Sequence, residues 1–328
     1  MSSEIVFYTL FAIRLYPTGN HMNDQLRGVI AAIATAVEDG GEPDCARSTA
    51  LARHLLDNGC DGLNVLGTTG EATSFSLDQR RRLMSAYRSS GLPLARMMVG
   101  TGAAATDDAI ALTRHAAELG FAGALVLPPF YYKGVPDEGL RAYVAAIVAA
   151  TSDRPIPLYL YHFPAQSGLP WHLALIRRLT GDFGSRIVGL KDSSGDLAFS
   201  REAAKAAPGF KVFPSSEEAL IEARSGGFAG CISATSNLNA DLCERAFHSG
   251  DPAALDAAIA IRKLFEGKQL VAGVKALLAH IHCDREWARV KPPLGPFSTA
   301  DAASVIAGYE AVRRMRPEQT AAASPASH

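Results

Sequence analysis

The strongest constraint on the fold of this chain is a recurrence. Short apolar runs return along its middle, each followed by a helical pattern. They occupy 29–36, 62–66, 96–100, 123–127, 156–161, 186–190, 211–214 and 230–234. Most successive runs are roughly 20 to 35 residues apart, the length of one strand plus one helix. Eight such units in sequence predict a closed (β/α)₈ (TIM) barrel. The 328 residues suffice for one barrel of this kind and a short appendage.

The intervening segments carry helix grammar. Ser76 and Gln79 form a capping-box pattern ahead of Leu83, Met84 and Tyr87. Pro136 opens a stretch in which Leu140, Tyr143, Val144, Ile147 and Val148 make one apolar stripe. After about residue 237 strand signals cease, and 239–249, 252–266, 269–283 and 299–315 read as helices. The Pro-rich stretch 291–296 cannot continue a helix and reads as a loop. The organisation expected is therefore a barrel over 25–250 and a C-terminal helical extension over 251–316. Residues 1–24 read as an N-terminal extension, with Met22 as an alternative start, and 317–328 as a disordered tail.

Composition narrows the function. Hydrophobic residues make up 48% and charged residues 20%, and the formal net charge is −1. Such a balance supplies a large core and no field drawing nucleic acid or an anionic membrane. No run approaches the roughly 18 apolar residues of a membrane helix. The apolar stretch 5–15 follows Glu4 and contains Arg14, so it reads as neither signal peptide nor anchor. The five cysteines are scattered and lack a CxxC pair, which fits a reducing cytoplasm rather than a disulfide framework. His280, His282 and Cys283 superficially resemble metal ligands, but i and i+2 positions do not share a helix face.

The residue that singles out a chemistry is Lys191, near the end of the sixth run. Alternation along a barrel strand puts Ile187, Gly189 and Lys191 on the inner face and turns Val188 and Leu190 to the helices. Gly189 is expected to leave space beneath the lysine stem. Lys191 also falls at the C-terminal end of its strand, where barrels of this kind build their sites. Burial disfavours the charged form of an amine, and a neutral amine attacks a ketone to form an iminium, an electron sink for C–C chemistry. The competing reading is an interior ion pair with a neighbouring carboxylate such as Asp192.

Tyr161 ends the fifth run, 30 residues earlier, so its strand should neighbour that of Lys191. A phenol there can move protons on and off an imine, although a satisfied core tyrosine is commoner. The loop 67–71, GTTGE, has two glycines to free its backbone, and its N–H groups and hydroxyls suit a carboxylate. The loop 100–103, GTGA, is a weaker case. The run PPFYYKG at 128–134 sets three aromatics at a strand end, a pattern of interfaces and pocket walls. A pyridoxal-phosphate enzyme would also use a lysine, but no Gly-rich phosphate loop follows the last two strands.

Together these segments resemble the dihydrodipicolinate synthase/N-acetylneuraminate lyase family over roughly residues 27–315. The motifs that carry it are GTTGE at 67–71, GTGA at 100–103, PPFYYKG at 128–134, YHFPAQSG at 161–168, GLKDSSGD at 189–196 and GCISATSN at 230–237. The resemblance implies Lys191 as the Schiff-base lysine and Tyr161 as the acid/base. Thr68 would relay protons between Tyr161 and Tyr131, the latter supplied across a subunit interface. Thr69 and Gly70 would hold the pyruvate carboxylate, and Ile232 would set its carbonyl near the imine. Gln166, Ser193 and Ser215 would touch the rest of the substrate. No cofactor and no metal is implied, and a cytoplasmic homotetramer, a dimer of dimers, is.

Departures from the pattern bear on the substrate. The synthase branch carries an arginine where Gln166 stands, and a neutral amide cannot replace a guanidinium fork for a carboxylate. The usual asparagine after the tyrosine is His162, which strand parity turns outward. The sialic-acid branch has a GYDE-like sequence where this chain has SSEE at 215–218, and tends to carry serine in place of Ala234. The expected activity is thus a class I aldolase acting on pyruvate and a 2-keto acid, a 2-keto-3-deoxy sugar acid foremost. The alternatives are dihydrodipicolinate synthase, a keto-deoxy sugar acid dehydratase, and an inactive paralogue that binds keto acids.

Overall fold

The structure, a computed structural model, describes residues 26–315. The expectations for 1–24 and 317–328 lie outside the described residues. Eight strands follow one another: β1 (Gly28–Ala32), β2 (Gly62–Val65), β3 (Met97–Gly100), β4 (Gly123–Val126), β5 (Leu158–His162), β6 (Ile187–Asp192), β7 (Lys211–Pro214) and β8 (Gly230–Ser233). They form one parallel sheet in the order β7-β6-β5-β4-β3-β2-β1-β8. Ala229 donates its N–H to the Val212 carbonyl at 2.9 Å, which draws β7 and the approach to β8 together and all but closes the barrel.

Helices alternate with these strands. They are α1 (Cys45–Asp57), α2 (Leu77–Ser89), α3 (Thr106–Leu119), α4 (Asp137–Ala150), a single turn α5 (Pro164–Ser167), α6 (Leu173–Phe183), α7 (Leu197–Ala203), α8 (Leu220–Arg224) and α9 (Ser236–Glu244). Three more follow the barrel: α10 (Pro252–Lys263), α11 (Leu270–Ile281) and α12 (Thr299–Arg314). The expected capping box is present, with Ser76 Oγ accepting from the Gln79 N–H at 3.2 Å and Gln79 Oε1 accepting from the Ser76 N–H at 3.0 Å. The α4 stripe buries Leu140, Tyr143, Val144 and Ile147, as its spacing requires. No helix among the described residues is long and apolar enough to cross a membrane.

Strand alternation sorts the core into two layers. Ile30, Ala32, Met98, Leu125, Tyr159, Tyr161, Phe213 and Ile232 fill the barrel interior. Their strand neighbours, among them Val29, Ala31, Leu63, Val65, Val99, Leu160 and Leu190, pack outward against the helices. This sorting corrects the expectation for β6. Ile187 belongs to the outer layer and Val188 packs on the inner one. The cause is a bulge: Leu158 pairs with Ile187, but Tyr159 pairs with Gly189, so Val188 is an extra residue. One inserted residue reverses the alternation. Past the bulge Leu190 faces the helices and Lys191 sits opposite Tyr161.

Candidate active site

Lys191 and Tyr161 are register partners on adjacent strands, 3% and 4% exposed. The Lys191 Nζ lies 4.5 Å from the centroid of the Tyr161 ring and donates to Asn64 Oδ1 at 3.4 Å. Among the described residues no carboxylate comes within ion-pair reach of it. The competing reading fails on orientation. Asp192 points to the outer side, where Oδ1 accepts from the Ser194 N–H at 2.8 Å and Oδ2 from Ser200 Oγ at 2.5 Å. The space at Gly189 serves a different purpose from the one expected. A Cβ there would lie 2.3 Å from the Lys211 carbonyl oxygen and 2.8 Å from the Tyr159 ring, so the glycine makes room for Tyr159 rather than for the lysine.

The Tyr161 hydroxyl and Thr68 Oγ1 are 3.0 Å apart. Thr68 is exposed at the barrel mouth, whereas Thr69 is buried and Gly70 accepts from Thr35 Oγ1 at 2.9 Å. The turn is not made by the glycines, as expected, but by Leu66 and Glu71, whose φ values are +53° and +54°. Left-handed backbone at non-glycine residues is strained and persists where the surroundings enforce it. Here Glu71 is enforced from outside the loop: it accepts from Lys275 Nζ and, at 2.6 Å, from the Lys291 N–H. Gly67 and Gly70 are needed for close approach instead. A Cβ on Gly67 would lie 2.6 Å from Asn64 Oδ1, and one on Gly70 would lie 3.1 Å from the Ile33 carbonyl oxygen.

The remaining candidates surround the mouth. Ile232 is buried on β8, opposite Ile30. Ser215 follows β7 and is half-buried, as is Ser193, whose N–H donates to the His162 carbonyl at 2.8 Å. Gln166 is exposed on α5. Tyr131 is 74% exposed on the loop after β4, its ring edge-on to Tyr132. Within one chain the structure thus gathers Lys191, Tyr161, Thr68 and Thr69 and leaves Tyr131 facing outward.

His162 does turn outward. Its ring stacks on Phe199, and Nδ1 accepts from the Trp171 N–H at 3.1 Å. Burial pushes its pKa below the usual value of 6.5, with Asp192 and Asp196 opposing the shift. Sequence reasoning missed three features that shape the site. Asn64 stands in a buried strand between Leu63 and Val65, the same signal that singled out Lys191. Lys133 bridges the carbonyls of Phe130 and Ser167, tying the Tyr131 loop to α5, which carries Gln166. The Glu71–Lys275 pair joins residues too distant in sequence for any local pattern to connect. No cluster of metal-ligating side chains occurs among the described residues.

Comparison with known proteins agrees with the barrel fold. The model of the dihydrodipicolinate synthetase family matches residues 25–310. An uncharacterized DapA-like lyase from Chloroflexus aurantiacus is 35% identical over 87% of this chain and 97% of its own length. A 4-hydroxy-tetrahydrodipicolinate synthase from Synechococcus sp. is 35% identical over 76% of this chain and 80% of its own. Among solved structures, dihydrodipicolinate synthase from Agrobacterium tumefaciens superposes with a TM-score of 0.81 at 26% identity, covering 87% of this chain and 99% of the other. YagE from E. coli K12, solved in complex with pyruvate, gives 0.78 at 25% identity, covering 88% and 98%.

Proposed function

The chain belongs to the dihydrodipicolinate synthetase family, a group of pyruvate-dependent lyases and aldolases, and on that footing we propose that it is a Schiff-base aldolase releasing pyruvate from a 2-keto-3-deoxy sugar acid. The observation that carries the reading is a buried lysine with no carboxylate in reach among the described residues, beside a phenol hydrogen-bonded to a threonine at the mouth. In this reading the Lys191 amine attacks C2 of the keto acid and a C–N bond forms. The carbonyl oxygen gains protons and leaves as water. The protonated imine then draws the electron pair of the C3–C4 bond as the C4 hydroxyl gives its proton to the Tyr161 oxygen, Tyr161 passes its own to Thr68, and the Thr68 hydroxyl proton leaves to solvent water at the mouth. An aldehyde departs, the enamine takes a proton at C3, and hydrolysis of the imine frees pyruvate and the amine.

The other residues take supporting parts. Thr69 and Gly70 hold the carboxylate on a loop already pinned by Glu71. Ile232 offers its carbonyl near the imine. Ser193 and Ser215 face the hydroxyls of the substrate tail, and Gln166 supplies an amide there, where a guanidinium would favour a second carboxylate. Tyr131, turned outward in its own chain, would complete the proton relay of a neighbouring copy in a homotetramer built from dimers. The protein works in the cytoplasm without metal or cofactor. Borohydride reduction with pyruvate, followed by mass spectrometry, tests the reading: Lys191 should carry the reduced adduct, and an unmodified Lys191 would overturn it.

The second reading is 4-hydroxy-tetrahydrodipicolinate synthase, favoured by the names of relatives. A coupled assay with aspartate semialdehyde decides between them, and a strong rate would replace the first reading. A dehydratase would consume the keto-deoxy acid without releasing pyruvate, so the same substrate panel separates it.

A further inference from the structure

We propose that Asn64 is the group that aims the reacting amine of Lys191 and then accepts the N–H of the protonated imine. The inference rests on the Schiff-base reading and adds a residue to it. Asn64 lies in β2 beside Ala32 of β1 and Met98 of β3, both part of the barrel interior. It is wholly buried, and its ladder partners Ala32 and Met98 belong to the apolar inner layer. A primary amide in such a place needs partners for two donors and one acceptor. Its Nδ2 has none among the described residues, which is unfavourable in an apolar interior. Its Oδ1 faces the Lys191 Nζ at 3.4 Å. Local packing is arranged around this amide, since a Cβ on Gly67 would press to within 2.6 Å of that same oxygen.

The chemistry explains why an amide suits this position. An imine withdraws electrons effectively only while protonated. Its single N–H then lies in the plane of the C=N bond, so an acceptor fixed beside it sets the rotation of that plane and stabilises the positive charge. The acceptor must not be basic. A carboxylate would hold the lysine as a paired ammonium, as Glu71 holds Lys275. An amide carbonyl accepts the hydrogen bond at every stage and leaves the proton on nitrogen.

Pyruvate alone tests this, through exchange of its C3 protons for deuterium followed by NMR, alongside the fraction of Lys191 trapped by borohydride. Exchange reports loss of a C3 proton from the imine, and trapping reports the imine itself. Asn64→Leu should lower exchange per trapped enzyme at least tenfold with the fold retained. Asn64→Asp should instead lower the trapped fraction itself, by pairing the amine, and this near-isosteric variant decides the matter should the leucine variant fail to fold. A residue with a merely structural role would shift the melting temperature and leave the ratio of exchange to trapping unchanged. Wild-type exchange and trapping in both variants would overturn the assignment of Asn64 alone. A wild-type protein that traps no pyruvate at Lys191 would overturn the Schiff-base reading and this inference with it.

Discussion

Lys191 and Lys275 are both buried amines, 3% and 0% exposed, and they stand in opposite surroundings. Lys275, on α11, meets the Glu71 carboxylate, itself buried, and so pins the C-terminal helices to the loop that carries Thr68 and Thr69. Burial pushes the Lys275 pKa below its ordinary value, and the attraction of Glu71 works against that push. Lys191 meets a neutral amide and an aromatic face. The difference teaches where function lies. A buried amine paired with a carboxylate fastens two elements together, because neither charge can leave without stranding the other. A buried amine offered only a neutral amide and a ring is tied to no counter-charge among the described residues, and so is the candidate for chemistry.

Substitution by the same residue at both sites should break the comparison cleanly. Lys191→Met is expected to reduce turnover on the order of 10⁴-fold or more, the scale seen when a covalent nucleophile is removed. Its stability should hold or rise, since an apolar chain replaces an amine with no ion-pair partner among the described residues. Steady-state rates and urea unfolding on one preparation check both halves. A large loss of stability would mean that Lys191 is structural after all.

Lys275→Met should behave in reverse. Removal of one partner strands Glu71 as a buried carboxylate, and breaking a buried pair typically costs about 3–5 kcal/mol. Adding Glu71→Gln should recover part of this loss, because the amide oxygen still accepts from the Lys291 N–H. Urea midpoints of the two single variants and the double variant measure the coupling. Equal midpoints for Lys275→Met and the parent would show that the pair fastens nothing.

The two lysines also differ in how far the sequence reveals them. Lys191 is legible because a strand buried on both faces should be apolar throughout, and one charged residue near its end stands out. The eight strands are legible for the same reason. Lys275 lies in an amphipathic helix where lysine is unremarkable, and its partner is far away along the chain. The same limit hides the conformation of Glu71. GTTGE advertises its glycines as the flexible positions, while contacts from α11 and the 291–296 loop impose the left-handed backbone on the glutamate. The facing of Ile187 and Val188 departs from simple alternation because the bulge is set by register against β5, a pairing that no local alternation encodes. Asn64 was legible by the rule that found Lys191, a polar side chain in a strand buried along its whole length, but amides draw less notice than charges.

The smallest expected effect sharpens the contrast from the outer side of the strand that holds Tyr161. His162 accepts from the Trp171 N–H through Nδ1, so the folded state holds a neutral ring with its proton on Nε2. Protonation would set one N–H against another. Burial is the larger influence and lowers the pKa, while Asp192 and Asp196 pull the other way. The folded protein therefore binds a proton at this site less readily than the unfolded chain. Stability rises with pH wherever the unfolded state holds more protons, so this contribution is complete above the ordinary value of 6.5 and declines as pH falls from there toward the depressed folded value. One proton bounds the slope at about 1.4 kcal/mol per pH unit. Other carboxylates also weaken the fold in acid, so the diagnostic is a difference: melting temperature between pH 7 and pH 5 should fall less steeply in His162→Asn than in the parent. Matching slopes would mean that the ring takes its proton without giving up Trp171. Should the slopes diverge while the pH dependence of borohydride trapping at Lys191 stays the same in both proteins, the titrating imidazole and the Lys191 amine are independent, though their strands are neighbours.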